Sequence, residues 1–218
     1  MSQKETSPSA QRRRALYPLF TILSGGLILL LLLAGLRSPL AYAAPTATTR
    51  YVSGSGGSDV ANACSNSASP CATIQHAVNQ SAAGDEIRVA QGTYTETIGI
   101  GVTLTLKGGY EAAGWTRDIA ANPTIIDANG ANASVVNITP GINVFIEGFT
   151  IQGANNTGDN GGGFLINDAT VVISATVIQN NVTSGGGGGG VWYEGNNVNV
   201  SVVNSSLLNN SANGGGGS

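Results

Sequence analysis

From about residue 87 onward, short apolar runs of three to five residues alternate with stretches rich in Asn, Ser and Gly. In the C-terminal half these runs recur at a fixed displacement. VFI at 144–146 returns as VVI at 171–173, and FLI at 164–166 returns as VWY at 191–193, a displacement that we call the short step. A slightly larger displacement, the long step, carries Ile178 to Leu207. Each run is too short to bury a face alone, so neighbouring units must stack and share one interior.

The stacked units are predicted to be strands. No unit holds apolar residues at i, i+3, i+4 and i+7 over a dozen positions, which excludes helical repeats. Strands related by a fixed chain step run parallel, and crossover chirality favours a right-handed coil. The sequence therefore predicts an all-β fold, a right-handed parallel β-helix (solenoid) over residues 51–218. We expect about six coils, incomplete at the C-terminus because the chain stops just before the next expected strand.

The polar stretches between the apolar runs fit tight turns. Asn tolerates the left-handed backbone and Gly permits positive φ. Asn180 and Asn209 are related by the long step, and we expect their side-chain amides to stack as a ladder. The glycine runs at 161–163, 185–190 and 214–217 keep one register to the apolar runs. We interpret them as part of the repeat, and the alternative is a flexible linker.

A short capping helix is predicted ahead of the coils. Ser69 supplies an N-cap and Pro70 a first-turn proline, and the apolar residues at 74, 77 and 78 share one face before Gly84 ends the helix. Such a helix would cover the open end of the core. The runs at 87–89, 104–106 and 124–126 are interpreted as successive early coils of the same kind.

The N-terminus has the pattern of an export signal. An RRR run at 12–14 precedes a long apolar stretch at 15–36, and an A-x-A site follows at 41–43. The sequence predicts a signal peptide over 1–43, cut between Ala43 and Ala44, and a short linker over 44–50. The alternative is an uncleaved membrane anchor, since about 20 apolar residues span a bilayer. This segment would be the only contact with a membrane, and we expect a secreted or cell-surface protein.

Composition and charge narrow the possible partners. Glycine makes up 32 of 218 residues, whereas charged residues make up only 10%, well below the share in ordinary globular domains. From Ala44 onward there are four basic and eleven acidic side chains, a net charge of −7, and no Lys, Arg or His follows Arg117. Because nucleic-acid binding depends on Lys and Arg neutralising phosphates, a nucleic-acid partner is excluded.

Two cysteines lie close together, Cys64 and Cys71. An even number at this spacing in an exported chain predicts a disulfide that closes a short loop. A metal site would need more ligands, and the chain's one histidine, His76, is interpreted as a solvent-facing or capping residue of the helix. We therefore expect neither a metal nor another cofactor.

Two parts of the sequence resemble known groups of proteins. The stretches PCATIQHAV at 70–78 and GDEIRVAQGTYTE at 84–96 resemble the entry segment of secreted bacterial β-helix-repeat proteins of the pectate-lyase-like superfamily. The later stretch LLNNSANGG at 207–215 is similar to the short repeats of polymorphic outer-membrane and adhesin-like proteins. The resemblance covers about residues 50–218 and implies the β-helix fold and a cell-surface or extracellular setting. Since this superfamily contains both enzymes and non-catalytic surface proteins, the resemblance implies no single activity.

The acidic residues favour a non-catalytic module. Lyases of this superfamily use a basic residue with calcium held by clustered acids, and its hydrolases use close carboxylates. Here Glu147 aligns with Ser174 and Asp168 with Gly195, so the acids do not stack. We expect a structural, adhesive or carbohydrate-binding module. The alternative is the N-terminal part of a polysaccharide lyase or glycoside hydrolase with catalytic residues beyond residue 218.

Two adjacent aromatic residues are the candidates for contact with a polysaccharide or another cell-surface glycan. Trp192 and Tyr193 could stack on a sugar ring, because aromatic faces suit such contacts. Both also occupy slots that hold Leu165 and Ile166 one unit earlier, so core packing is the alternative. Strand alternation sends one of the pair inward and leaves the other outside.

Overall fold

The computed structural model describes residues 46–158 and 160–214. This part of the chain is mostly β, with one short helix, and the predicted signal segment with Ala43 and Ala44 lies outside it. In chain order the elements are β1 (Thr49–Val52), α1 (Ile74–Gln80), β2 (Asp85–Ala90), β3 (Gly92–Thr95), β4 (Ile98–Ile100), β5 (Leu104–Tyr110), β6 (Thr124–Asp127), β7 (Val136–Ile138), β8 (Asn143–Glu147), β9 (Thr150–Gln152), β10 (Asn155–Asn156), β11 (Phe164–Asn167), β12 (Thr170–Ser174), β13 (Val177–Gln179), β14 (Val182–Thr183), β15 (Val191–Glu194), β16 (Asn199–Val203), β17 (Ser206–Leu208) and β18 (Ser211–Ala212).

The strands form four sheets, and all pairings between these strands are parallel. Sheet A has the order β1-β2-β5-β8-β12-β16, and sheet B the order β17-β13-β9-β6-β3. Sheet C has the order β15-β11-β7-β4, and sheet D the order β10-β14-β18. Consecutive strands along the chain thus belong mostly to different sheets, an arrangement consistent with a parallel β-helix.

The predicted repeat is confirmed in the C-terminal half. Val144 pairs with Val171 and Phe164 with Val191, both at the short step, and Ile178 pairs with Leu207 at the long step. The early register is different from the prediction. β5 skips the run at 124–126 and pairs with β8, because that run is β6 of sheet B. The segment at 111–123, between β5 and β6, lengthens this unit, which is why no constant step is visible in the early sequence.

The core consists of inward-facing residues stacked in register across the sheets. In sheet A, Ile87, Leu106, Ile146 and Ile173 form one such column, and each is fully buried. Burial of an isoleucine side chain stabilises the fold by about 1.5–3 kcal/mol. Alternate residues of the same strands point outward, so the outer face of each sheet carries a second set of columns.

The glycine runs are ordered parts of the repeat. The amides of Gly162 and Gly163 donate to the carbonyls of Gly188 and Gly189, each at 3.0 Å. A Cβ added to Gly162 would lie 2.3 Å from the Gly189 oxygen, so a side chain there would collide with the neighbouring backbone. The interpretation as repeat rather than flexible linker holds for the described residues of these runs.

The amide ladder is shifted by one position from the predicted pair. Asn180 and Asn209 both adopt left-handed backbone, with φ of 52°, and neither side chain is fully buried. The next residue turns inward instead. Asn181 is fully buried, and its Nδ2 donates to Asn210 Oδ1 at 3.1 Å and to the Ile151 carbonyl at 3.1 Å. The turn residue uses its backbone freedom, and its neighbour provides the stacked amides.

Helix α1 covers the first strands but starts later than predicted. Its N-cap is Thr73, not Ser69, and its C-cap is Ser81. Its buried face consists of Ile74, Ala77 and Val78, as predicted. Within residues 46–158 and 160–214, we find no helix with the length and apolar character needed to cross a membrane.

Candidate functional site

A shallow groove of about 250 Å³ lies on sheet A near the N-terminal ends of β5, β8 and β12. Thr105, Phe145 and Val172 lie side by side in it, because they are in register on these three strands. All three are half-buried and belong to an outward-facing column. The remaining lining residues are Gly84, Thr103, Leu104, Asn143, Val144 and Thr170.

The groove surface is mostly apolar, with a few neutral polar groups among its lining residues. Phe145 lies between the hydroxyl-bearing Thr105 and the aliphatic Val172. Two residues earlier on their strands, Asn143 and Thr170 lie side by side. The backbone N–H of Asn143 donates to Thr103 Oγ1 at 3.1 Å, which fixes the Thr103 hydroxyl at the edge of the groove. None of the lining residues is ionisable. The site is therefore chemically suited to an uncharged ligand that presents an apolar face.

Phe145 lines the groove but is not among the contact residues predicted from the sequence. In the sequence it belongs to one apolar run with Val144 and Ile146, and the run alone does not show which members face outward. The available signal was strand alternation, since Phe145 points opposite to its two neighbours and those two are buried.

Charged residues of sheet A lie beside the groove and are paired with one another or with Arg117 of the segment at 111–123. Glu86 accepts hydrogen bonds from Arg88 and Lys107, each at 2.7 Å, and Arg117 pairs with Glu147 at 2.8 Å. Burial opposes ionisation of Glu86, but the hydrogen bonds from Lys107 and Arg88 outweigh it and lower the pKa of Glu86. The same pairing raises the pKa of Arg88. These cations are therefore engaged with acids and are poorly placed to hold an anionic ligand.

The segment at 111–123 brings aromatic residues onto the same side of the molecule. The Trp115 ring packs edge-on against Tyr51, with centroids 4.7 Å apart, and its Nε1 donates to the Ser67 carbonyl at 3.1 Å. The Arg117 guanidinium lies 5.7 Å from the centre of the Tyr110 ring. Trp115 thus links this segment to the loop that holds the cysteines, a contact that no periodic pattern in the sequence signals.

Trp192 and Tyr193 lie on β15 of sheet C, apart from the groove on sheet A. Trp192 is in register with Leu165, and Tyr193 is in register with the fully buried Ile166. Tyr193 therefore occupies the inward column, yet it is 59% exposed because β15 is an edge strand of its sheet. Trp192 is half-buried, and its Nε1 donates to Glu194 Oε2 at 3.0 Å. A role of either residue in glycan contact stays a prediction.

The two cysteines form the predicted disulfide, and both are fully buried. The structure also brings His76 to this bond, although the sequence predicts only a capping or solvent role for it. A ring nitrogen of His76 and the two sulfurs all lie within 4.8 Å of one another. His76 Nε2 lies 2.8 Å from the Asn62 carbonyl oxygen. That oxygen is also 4.0 Å from Cys64 Sγ and 3.8 Å from Cys71 Sγ.

A buried ion pair fixes the strand that enters the fold. Arg50 Nε donates to Asp85 Oδ2 at 2.8 Å, and its Nη1 donates to the Ala63 carbonyl. The backbone amides of Thr48 and Ala82 also donate to the Asp85 carboxylate. Burial opposes ionisation of Asp85, but these donors outweigh it, so the pKa of Asp85 lies below its ordinary value. The pair joins β1, β2 and the disulfide loop.

Two further carboxylates hold the start of α1. Asp59 accepts from the amide of Ala72 at 2.7 Å, and Glu96 accepts from the amides of Ile74 and Gln75, each at 2.9 Å. Burial raises the pKa of Glu96 despite these donors, whereas the hydrogen bond from Thr73 and the backbone amides overcome burial and lower the pKa of Asp59. Glu96 satisfies two helix N–H groups that would otherwise lack partners, and Asp59 holds Ala72 and the N-cap Thr73 just before the helix, so both roles are structural.

The acids of the regular repeats are engaged at separate places. Asp127 accepts from Gln152 at 2.8 Å, Asp168 accepts from the Asn197 amide at 2.9 Å, and Glu147 pairs with Arg117. They lie on different sheets or turns, as the misaligned repeat positions predicted. In the described part of the chain these acids form no common site.

These observations define a class: an all-parallel, multi-sheet β protein with a short helix at one end and an uncharged surface groove. Residues 55–215 match the family described as "Protein of unknown function (DUF1565)". The chain belongs to this family. No curated protein and no solved structure matches it.

Proposed function

We propose that this chain is an exported, non-catalytic surface module that binds neutral glycans through the groove around Phe145. Its strands would form a right-handed parallel β-helix of the pectate-lyase-like kind. The right hand rests on the strong chirality of crossovers between parallel strands. Export rests on the N-terminal segment, with the disulfide as supporting evidence, because disulfides persist in oxidising compartments.

The observation that carries the proposal is the composition of the groove. A pyranose ring has an apolar face that can stack on an aromatic ring and a rim of hydroxyls that needs neutral hydrogen-bonding partners. Phe145 would supply the ring on a mostly apolar surface, and the candidates for the few polar contacts are Thr105, Asn143 and Thr170. The volume of about 250 Å³ suits a small part of a chain rather than a whole polymer.

Electrostatics favours a neutral glycan over a uronate polymer. A carboxylate-bearing sugar is normally held by a free Arg or Lys. Each of the four basic side chains in residues 46–158 and 160–214 has an acidic partner within 2.8 Å, and the groove itself holds no charge. The net charge of −7 after Ala43 would further repel a polyanion.

The test is calorimetric titration of residues 44–218 with neutral β-linked glucan, xylan and mannan oligosaccharides, and with oligogalacturonate. We expect binding of at least one neutral series and about a tenfold weaker Kd in Phe145→Ala, equivalent to about 1.4 kcal/mol. Trp192→Ala and Tyr193→Ala are the matched controls on sheet C and should bind as the wild type does.

Other outcomes would revise the proposal in distinct ways. Loss of binding in Trp192→Ala with unchanged binding in Phe145→Ala would move the site to sheet C. Preference for oligogalacturonate would overturn the neutral class. Release of unsaturated or reducing ends during the titration would favour the alternative, an enzyme of the lyase or hydrolase type.

A further inference from the structure

The loop closed by the disulfide places three side chains with metal-ligating atoms together. Cys64 and Cys71 have a sequence separation of 7, and His76 follows Cys71 on the first turn of α1. Their ligand atoms lie within 4.8 Å of one another, the only such group of His, Cys, Asp and Glu found in the residues that the structure describes. We propose that, once the disulfide is reduced, these three side chains form a zinc site with one open position.

The distances suit tetrahedral zinc. With Zn–S near 2.3 Å and Zn–N near 2.0–2.1 Å, tetrahedral geometry separates two thiolates by about 3.8 Å and a thiolate from an imidazole by about 3.6 Å. The two sulfurs and a ring nitrogen of His76 lie within 4.8 Å of one another, so the distance from either sulfur to that nitrogen would need to change by only about 1 Å or less. The main change is that the two sulfurs part, which breaking the S–S bond permits. Two thiolates and one imidazole leave the fourth position for water.

The surroundings orient the histidine for this role. The Asn62 carbonyl can only accept, so His76 Nε2 carries the hydrogen of the 2.8 Å bond, and Nδ1 is the ring nitrogen whose lone pair is left for the ion. Hydrogen bonds from a ligating histidine to a backbone carbonyl are a usual feature of zinc sites. The ring is half-buried, whereas both cysteines are fully buried, so the ion would enter from the His76 side.

The redox step balances with an external dithiol. The dithiol donates two electrons and two protons to the Cys64–Cys71 bond and becomes a disulfide itself, which leaves two thiols in the loop. Zinc then displaces the two thiol protons to form two Zn–S bonds. The oxidised protein has no thiolate to offer and should not bind the ion. Metal binding and disulfide formation are thus mutually exclusive states of the same loop.

The experiment is titration of the whole chain from residue 44 with Co²⁺, before and after reduction by a dithiol that is then removed without oxygen. We expect one Co²⁺ per reduced chain, with thiolate-to-cobalt charge-transfer bands and tetrahedral ligand-field bands, and displacement by Zn²⁺. The oxidised chain should show none. His76→Gln keeps an N–H donor for the Asn62 carbonyl but no imidazole, and should weaken binding at least about tenfold. Glu194→Gln, an exposed carboxylate far along the chain, is the control and should change nothing.

Because His76 is the chain's one histidine, its ring nitrogens give a direct second readout by NMR. Zn²⁺ should shift them in the reduced chain and leave them unchanged in the oxidised chain. Reduction could also loosen the loop, so the urea midpoint is measured in parallel. Zinc should raise it for the reduced wild type and not for reduced His76→Gln, since an ion bound only by the folded state stabilises that state. Equal Co²⁺ affinity in His76→Gln and wild type, or no binding by the reduced chain, would overturn the proposal.

Discussion

The entry region (residues 49–110) and the repeat region (residues 161–214) hold parallel strands together by different means. The entry region contains seven charged side chains, a disulfide and a helix, and its buried Arg50–Asp85 pair lies where the core column begins. The repeat region contains only Asp168 and Glu194 as charged residues and relies on stacked amides and on glycine backbones bonded to each other.

The difference follows from what each region must satisfy. A repeating unit finds its hydrogen-bond partners in the units before and after it, so backbone pairs and amide ladders are sufficient. The first strand has a partner on one side only, and its remaining polar groups need partners from elsewhere in the chain. The free edge of β1 bonds to the backbone of the two cysteines, since the Tyr51 amide donates to the Cys64 carbonyl and the Cys71 amide donates to the Tyr51 carbonyl. Asp85, Asp59 and Glu96 in turn accept hydrogen bonds from backbone amides just before β1 and around the start and end of α1.

The largest expected effect comes from breaking the ion pair in the entry region. Asp85→Asn leaves Arg50 buried beside a neutral group, and we expect a loss of about 3–5 kcal/mol in the free energy of unfolding at pH 7. Urea denaturation with the disulfide intact measures it. Glu194→Gln, in the repeat region, should stay within about 0.5 kcal/mol of wild type. Similar losses in the two variants would contradict the contrast between the regions.

The Arg50–Asp85 pair also makes the free energy of unfolding depend on pH in the acid range. The pKa of Asp85 is lower in the folded protein than its ordinary value of 3.8. Its stabilising contribution is therefore complete above that value and is lost as the pH falls through the folded pKa. The difference in the free energy of unfolding between wild type and Asp85→Asn should therefore become smaller below about pH 4.

A smaller loss of stability is expected when a side chain is added at a closely packed glycine of the repeat region. Gly162→Ala would place Cβ 2.3 Å from the Gly189 oxygen, and we expect a loss of about 1–3 kcal/mol. Gly158 has no atom within 4 Å of an added Cβ and no positive φ. Gly158→Ala should therefore be neutral or more stable by up to about 1 kcal/mol, through the unfolded chain. If thermal denaturation showed Gly162→Ala to be as stable as Gly158→Ala, the run would be a linker after all.

Strand pairing in the repeat region could be predicted from the sequence because the apolar runs recur at constant spacings. The short and long steps identify which strands pair, and the structure has the same pairs. The predicted ladder lies one position away from the observed one because both members of each Asn-Asn pair obey the same step. Only the backbone angle of Asn180 distinguishes the turn residue from the buried Asn181.

The entry region and the groove could not be predicted in the same way. The segment at 111–123 changes the spacing, so the sequence does not show that the run at 124–126 belongs to sheet B. Asp59 binds the Ala72 amide 13 residues away, Glu96 the Ile74 amide 22 residues away and Asp85 the Thr48 amide 37 residues away, and no local pattern in the sequence indicates these pairs. The groove depends on which residue of an apolar triplet faces out. His76 reaches the disulfide only through the docking of α1.

The smallest expected effect is a change in the stability of the entry region at high pH, and it depends on Tyr94. Tyr94 is buried in the entry region, where its hydroxyl accepts from the Gly54 amide at 3.2 Å and donates to the Ala90 carbonyl at 2.9 Å. Burial raises the pKa of Tyr94 to about 12 from the ordinary 10.0. The neutral form is thus favoured by folding, so its contribution is complete below pH 10 and is lost as the pH rises toward 12.

Tyr94→Phe should cost about 1 kcal/mol at pH 8 through the lost hydrogen bonds. At pH 11 the wild type alone loses about 1.4 kcal/mol through its tyrosine, so the difference between the two proteins should close or change sign. Urea midpoints at the two pH values measure this, and the ionisation of all other groups cancels in the difference. Tyr193→Phe, exposed on the edge strand of sheet C, is the matched control for removal of a tyrosine hydroxyl. A Tyr94→Phe offset that did not change with pH would mean that the entry region tolerates a charged ring at this site, and that its burial does not select the neutral hydroxyl.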